Sequence, residues 1–451
     1  MTKLLRSWGL FALSMLLLAS LMALVLVFLK LPLLPQAWPL QSWFARALVL
    51  HVDLSLLVWA LSMVALMWLR HLPLASAWLD RLATVLLFGS GLGVFVSIFL
   101  NQGQALLSNY IPVLDAPLYL ASLAVFVLAV TLVALPRVSG FSFSAGVPLS
   151  EVAFRLSLWA LLVTVTVQLI GWWRLAPLAL DLQRAELLFW GAGHSLQAVY
   201  LCALLGGWFY LLQRSGASCL PLLASAGHRV AVLLMLIVIA VPLLISLAWA
   251  PDDPRYREAF SIWMRVFSVP VLGVVWVLLQ QFFRQRARTV LGWRVLAVGL
   301  SILLFLLGVM LGAMIRGDNL LVPAHYHATT GAVNLIFMAL IYDLFCTLRS
   351  ERWVRWQLQT YAFGVVLMVI GLALSGWMGV GRKLAGSAQA SEFTAEMAAM
   401  MLMGGGGAIG LGAIFWFVAR TLWSQQGAAK PCLYASAQGL AQGSAVNEVR
   451  G

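Results

Sequence analysis

PAHYHATTGAV, residues 323–333, decides how the rest of the chain is read. It sits inside an apolar run and holds two histidines, His325 and His327, with one residue between them. On an α-helix, residues i and i+2 point about 200° apart, so the two imidazoles face opposite sides. They are unable to grip one metal ion together, but each can serve a partner of its own.

The surrounding chain has 451 residues, of which 63% are hydrophobic and 10% charged. Its mean hydropathy is +0.97. Soluble domains do not have this composition, whereas an all-α polytopic membrane protein does. Twelve apolar runs are long enough to cross a bilayer, from 8–29 to 395–422, with short loops between them. The first run is long for a secretory signal and is counted as a span. The twenty tryptophans suit the aromatic belts of the two interfaces. Residues 1–423 therefore form a twelve-helix membrane domain, and 424–451, rich in Gly, Ala, Gln and Ser, read as a disordered tail. The GGGG at 404–407 lies in the last span and predicts close helix packing.

A formal charge of +13 raises the question of nucleic acid, but the basic residues are scattered among loops and form no patch. Counted by side, 18 Lys and Arg fall with the N-terminus and 10 on the opposite face. The positive-inside rule then predicts a bacterial-type inner membrane, with both termini cytoplasmic and the lipid bilayer as the partner. Even-numbered spans run from outside to inside. Four cysteines, with no CxxC and no CxxCH, indicate neither a disulfide framework nor covalent haem.

The histidines follow this topology. His51 lies early in the second span, His194 in the sixth, and His325 and His327 early in the tenth. All enter from the outer side. Ligating side chains inside a membrane are expensive and mark function. Imidazole is the commonest axial ligand of haem, and a macrocycle fills space between helices. His71 and His228 read as solvated loop residues, and Asp343 as a solvated helix end.

With these residues in view, the chain resembles subunit I of the haem–copper oxidases and nitric oxide reductases. The strongest match is GDNLLVPAHYHATTGAVNLIF, similar to that family's tenth helix, with Asp318 seven residues before His325. The resemblance implies that His51 and His327 ligate a low-spin haem and that His325 holds a five-coordinate high-spin haem on the other face. It implies two haems, with b type expected ahead of a or o, and a haem-binding role for residues 1–423. GWMGVGRKLAG, at 376–386, resembles the glycine-rich segment whose basic residues meet haem propionates, which assigns that role to Arg382 and Lys383.

The same resemblance breaks at the second metal. His194 resembles the helix-six ligand of a copper or iron, making it the one candidate for a second-metal ligand. A histidine pair is expected near ISLAWA, 245–250, but the sequence has none between His228 and His325. One imidazole does not hold copper, and the Gln197 amide is a poor soft-metal ligand. Copper is therefore expected to be absent or atypical. The position four residues after His194 is Ala198, not a tyrosine, and Tyr200 reads as a packing residue. Buried acids are few, with Asp53 beside His51 the most notable, and nothing suggests a proton pump.

Two functions follow. The first is a divergent oxidoreductase of the cytochrome c oxidase or nitric oxide reductase type. It passes electrons from a partner subunit or quinol through the low-spin haem to O2 or NO at the high-spin haem. The second is a non-catalytic haem protein for electron relay, gas sensing or assembly of a respiratory complex.

Overall fold

The computed structural model describes residues 2–29, 40–72, 76–100, 103–139, 147–175, 180–215, 226–285, 292–345, 350–382 and 395–426. It is all-helical, with twelve spans. The first is α1 (Lys3–Leu29). The second is composite, running from α2 (Leu40–Val52) through a π-helical segment (Asp53–Trp59) into α3 (Ala60–His71). Then come α4 (Ala77–Leu100), α5 (Pro117–Ala134, with a 3-10 turn over Leu135–Arg137), α6 (Leu149–Leu175) and α7 (Leu182–Arg214). The chain continues through α8 (Ala226–Ala248), α9 (Pro254–Gln285), α10 (Trp293–Ala313), α11 (Leu321–Leu344), α12 (Glu351–Trp377) and α13 (Ala395–Gln426). Among the described residues, ten of these spans are long and apolar enough to cross a membrane by composition alone. α11 is not one of them, because its histidines, threonines and asparagine dilute the apolar run.

Ion pairs and loops show how the spans alternate. A two-stranded hairpin, β1 (Ala105–Leu106) with β2 (Val113–Leu114), lies between α4 and α5. It contacts the start of the second span, and Arg46 donates to the Gly103 carbonyl at 3.1 Å. Asn319, before α11, bridges to Gly381, after α12. The loops at this end belong to the odd-to-even turns, and we call it the hairpin face. At the opposite face, Arg137 makes a two-pronged pair with Asp80, both side chains 1% exposed. There, too, Asp343 pairs with Arg294 at 2.5 Å and Arg214 at 3.6 Å, and accepts from the Tyr210 hydroxyl.

Between helices that both face lipid there is no large hydrophobic gain on association, so close packing must hold them. The α12–α13 pair shows this. A Cβ on Gly364 would fall 2.4 Å from the Gly410 nitrogen, and one on Gly406 would fall 2.2 Å from that of Met368. Of the glycine run at 404–407, Gly406 makes this close approach, whereas Gly404 and Gly405 have nothing within 4 Å. The core is widest around the second, sixth and tenth spans, where α3, α7 and the second half of α11 are buried almost all round.

Several expectations are corrected. Asp343 is no solvated end: its side chain is 3% exposed and ion-paired. His71 closes α3, stacked on Phe154 with ring centroids 5.2 Å apart and edge-on to Tyr210, with its Nε2 buried. His228 sits in the first turn of α8, not in a loop. The last helix passes the expected boundary at 423 and runs to Gln426; the tail from 427 lies outside the described residues.

Candidate functional site

Three intramembrane histidines share one arrangement. His51 presents Nδ1 to the Ala19 carbonyl of α1 at 3.0 Å. His325 presents Nδ1 to the Gly308 carbonyl of α10 at 2.7 Å. His327 presents Nδ1 to the Pro323 carbonyl, one turn back on its own helix, at 2.8 Å. A carbonyl only accepts, so each Nδ1 carries the proton and donates. The neutral ring then keeps its lone pair on Nε2. That is how a metal-ligating imidazole is set, with one nitrogen anchored and the other available.

His51 and His327 come from different spans, the second and the tenth, which the Trp59–Asn334 hydrogen bond joins. His325 leans the other way, onto α10. All three rings are only partly buried, while Ala324 and Ala328 beside them are fully buried.

The seat of His325 is built by two glycines that sequence reasoning missed. A Cβ on Gly312 would lie 2.7 Å from Nδ1 of His325, and one on Gly308 would lie 2.9 Å from the Thr329 nitrogen. Only glycine lets α10 come close enough for its carbonyl to receive the imidazole proton. The signal was present as G-x-x-x-G at 308–312, a small-residue spacing typical of close helix contact.

His194 differs from the other three. It is 2% exposed, and both ring nitrogens are engaged. Nδ1 donates to the Trp190 carbonyl at 2.7 Å, so Nε2 must accept from the Tyr110 hydroxyl at 2.8 Å. Tyr110, Trp190 and Phe260 wall the ring at centroid distances of 4.2, 4.7 and 5.5 Å. Tyr110 arrives from the hairpin, 84 residues away in sequence, and no local pattern could have announced it. Burial pushes its phenol well above the ordinary tyrosine range, against the opposing pull of Arg382. The segment 245–250 closes α8 with Ser246, whose hydroxyl donates to the Pro242 carbonyl at 2.9 Å. Among the described residues, no group of three or more His, Cys, Asp or Glu is placed to hold a metal ion.

At the hairpin face, Arg382 pairs with Asp318 and donates to Asn109, joining three loops. It lies within range of Tyr326, the residue between the two histidines. Lys383 lies outside the described residues.

Residues 3–410 match the family described as Cytochrome C and Quinol oxidase polypeptide I. The chain belongs to this family. Its fold is that of a solved protein, reported as "Cryo-EM structure of a heme-copper terminal oxidase dimer provides insights into its catalytic mechanism". That likeness has a TM-score of 0.71 at 15% identity, covering 96% of this chain and 85% of the other. Among sequence relatives, an uncharacterized protein of Rickettsia prowazekii (strain Madrid E) is 24% identical, over 81% of this chain and 85% of its own. Another, from Aquifex aeolicus (strain VF5), is 27% identical, over 70% of this chain and 80% of its own. The oxidase polypeptide I family consists of multi-pass membrane terminal oxidases that typically bind haem. The three histidines with free Nε2 are a donor set that fits this group. For a second metal the donors do not fit, because the one histidine in place has already committed its lone pair to a phenol.

Proposed function

We propose that this oxidase-family chain is a two-haem membrane protein that moves electrons from a low-spin to a high-spin haem. Haem supplies one-electron transfer and, where one axial position is open, a place for a diatomic gas. His51 and His327 would hold one macrocycle from its two sides, each through Nε2. His325 would hold a second by one side only, with Gly308 keeping its proton on Nδ1. Arg382, close to Tyr326 and already paired with Asp318, would meet propionates at the hairpin face, with Lys383 beside it in sequence. The donor is a partner subunit or quinol, and the protein would sit in a bacterial-type inner membrane with both termini cytoplasmic.

The shared Nδ1 arrangement carries this reading. Three intramembrane imidazoles, each anchored at Nδ1 and free at Nε2, are set for ligation, two of them by a bond to a neighbouring helix. The test is spectroscopic. Reduced purified protein should show the sharp visible bands of a six-coordinate haem, and CO should bind about half of the haem, since one of two sites would have an open position. His51→Ala should remove the sharp bands and leave CO binding intact, while His325→Ala should do the reverse. Unchanged sharp bands in His51→Ala would sink the assignment.

His194 favours a second reading alongside the first. An oxidase or nitric oxide reductase needs a partner metal beside its high-spin haem, and His194 is sealed by Tyr110, Trp190 and Phe260. The chain then resembles a relay, gas sensor or assembly protein more than a fast oxidase. Oxygen or NO consumption by the reduced protein separates the two: rapid turnover supports the enzyme, and gas binding without turnover supports the relay or sensor.

A further inference from the structure

The second span changes helix type at its functional point. One residue after His51, past Val52, the α-helix gives way to a π-helix over Asp53–Trp59, and α geometry resumes at Ala60. A π turn is less stable than an α turn and survives where tertiary contacts demand it, frequently at functional sites. Here the contacts are identifiable. Tyr119 of α5 donates to the Asp53 carboxylate at 2.6 Å. Tyr200 of α7 donates to the Leu56 carbonyl. Trp59 donates to Asn334 of α11 at 2.9 Å and stands edge-on to Phe337. Ser55 turns its hydroxyl onto the His51 carbonyl at 2.6 Å. The wide turn is thus gripped by the fourth, sixth and tenth spans, and the tenth is the helix that carries His327.

We propose that this pinned π segment is the device that aims His51, and that Tyr200, Tyr119 and Trp59 are its positioning residues. The inference rests on the reading of His51 and His327 as ligands of one haem. Geometry supplies the reason. Relative to a continuous α-helix, the wide turn takes up an extra residue and rotates the segment before it against the segment after it. Without it, α2 would turn by about 100° against α3, one residue's worth. α3 is buried all round and fixed in the core, so the turn would fall on α2. His51 would leave the Ala19 carbonyl and swing away from His327. Tyr200, unremarkable in sequence, becomes the residue that caps a carbonyl of the wide turn.

The experiment uses purified full-length, haem-loaded protein, with the low-spin absorption bands and haem retention as readouts. Tyr200→Phe should shift and broaden the low-spin bands and speed loss of that haem to a haem-scavenging protein about 10-fold, the scale of losing an outer partner of a ligand. CO binding by the other haem should stay unchanged. Tyr342→Phe, which removes a hydroxyl contact to Gln357 far from the turn, should leave the spectrum alone. Deletion of Leu57 removes the extra residue, so the span can run as plain α-helix with α2 still in register with α3, and the low-spin bands should survive it. Should the deleted chain fail to accumulate, Tyr200→Phe and Trp59→Phe decide. Wild-type low-spin bands in both, with His51→Ala still losing them, overturn the proposal and leave the haem assignment standing. Equal loss of both haems also overturns it, as it marks a general packing defect. Bands that persist in His51→Ala remove the assignment and the proposal with it.

Discussion

His325 and Gly308 form a donor–acceptor pair across two helices, the imidazole Nδ1 lying 2.7 Å from the glycine carbonyl. The pair makes His325 a ring with a fixed tautomer inside the membrane, and Gly312, one turn further along α10, supplies the room. Gly312→Ala should therefore push a methyl into a ring atom that now lies 2.7 Å away. We expect the CO-binding fraction to fall sharply and stability to drop by about 1–3 kcal/mol, the usual range for overpacking. CO difference spectra and thermal unfolding in detergent check both. An intact CO signal would mean that the ring tolerates a shift and that its seat is not exacting.

His194 and Tyr110 yield a prediction about metal. Because the Nε2 lone pair accepts from the phenol, purified protein should hold far less than one copper per chain. That content should not change in His194→Ala. Elemental analysis by mass spectrometry decides the point. A stoichiometric copper signal lost in the variant would show that the phenol yields its place.

The same contact predicts a pH response. Burial raises the Tyr110 phenol above its ordinary value, so folding favours the protonated form. The stability it contributes is fully present below the unfolded tyrosine value of about 10 and is lost as pH rises beyond it. Tyr110→Phe should remove that share of the alkaline loss. Melting temperatures of the two proteins, followed from pH 8 upward, should converge as the pH climbs past about 10. A constant gap would contradict the assignment.

At the opposite face, Asp80 and Arg137 are both 1% exposed and joined by two hydrogen bonds. Asp80→Ala strands a buried guanidinium and should destabilise the chain by about 3–5 kcal/mol. Replacing both partners with apolar residues should recover most of the loss, since the pair's own net worth is small. Thermal unfolding of the single and double variants in detergent measures both effects.

Sequence alone determined the membrane class, the twelve spans and the places of His51, His325 and His327 within them. Apolar length is dictated by bilayer thickness, and a histidine in such a run stands out because every polar group there needs a reason. The separation of His325 and His327 onto two faces also followed from helical periodicity alone. What the tertiary structure decided were relations between segments distant in the chain. Tyr110 reaches His194 across 84 residues. Arg214 and Arg294 bury Asp343, and Gly308 fixes the His325 tautomer. The π turn was invisible for the same reason. Local propensity does not favour it, and it stands because Tyr119, Tyr200 and Asn334, on three other spans, grip it where a straight α-helix would have turned His51 aside.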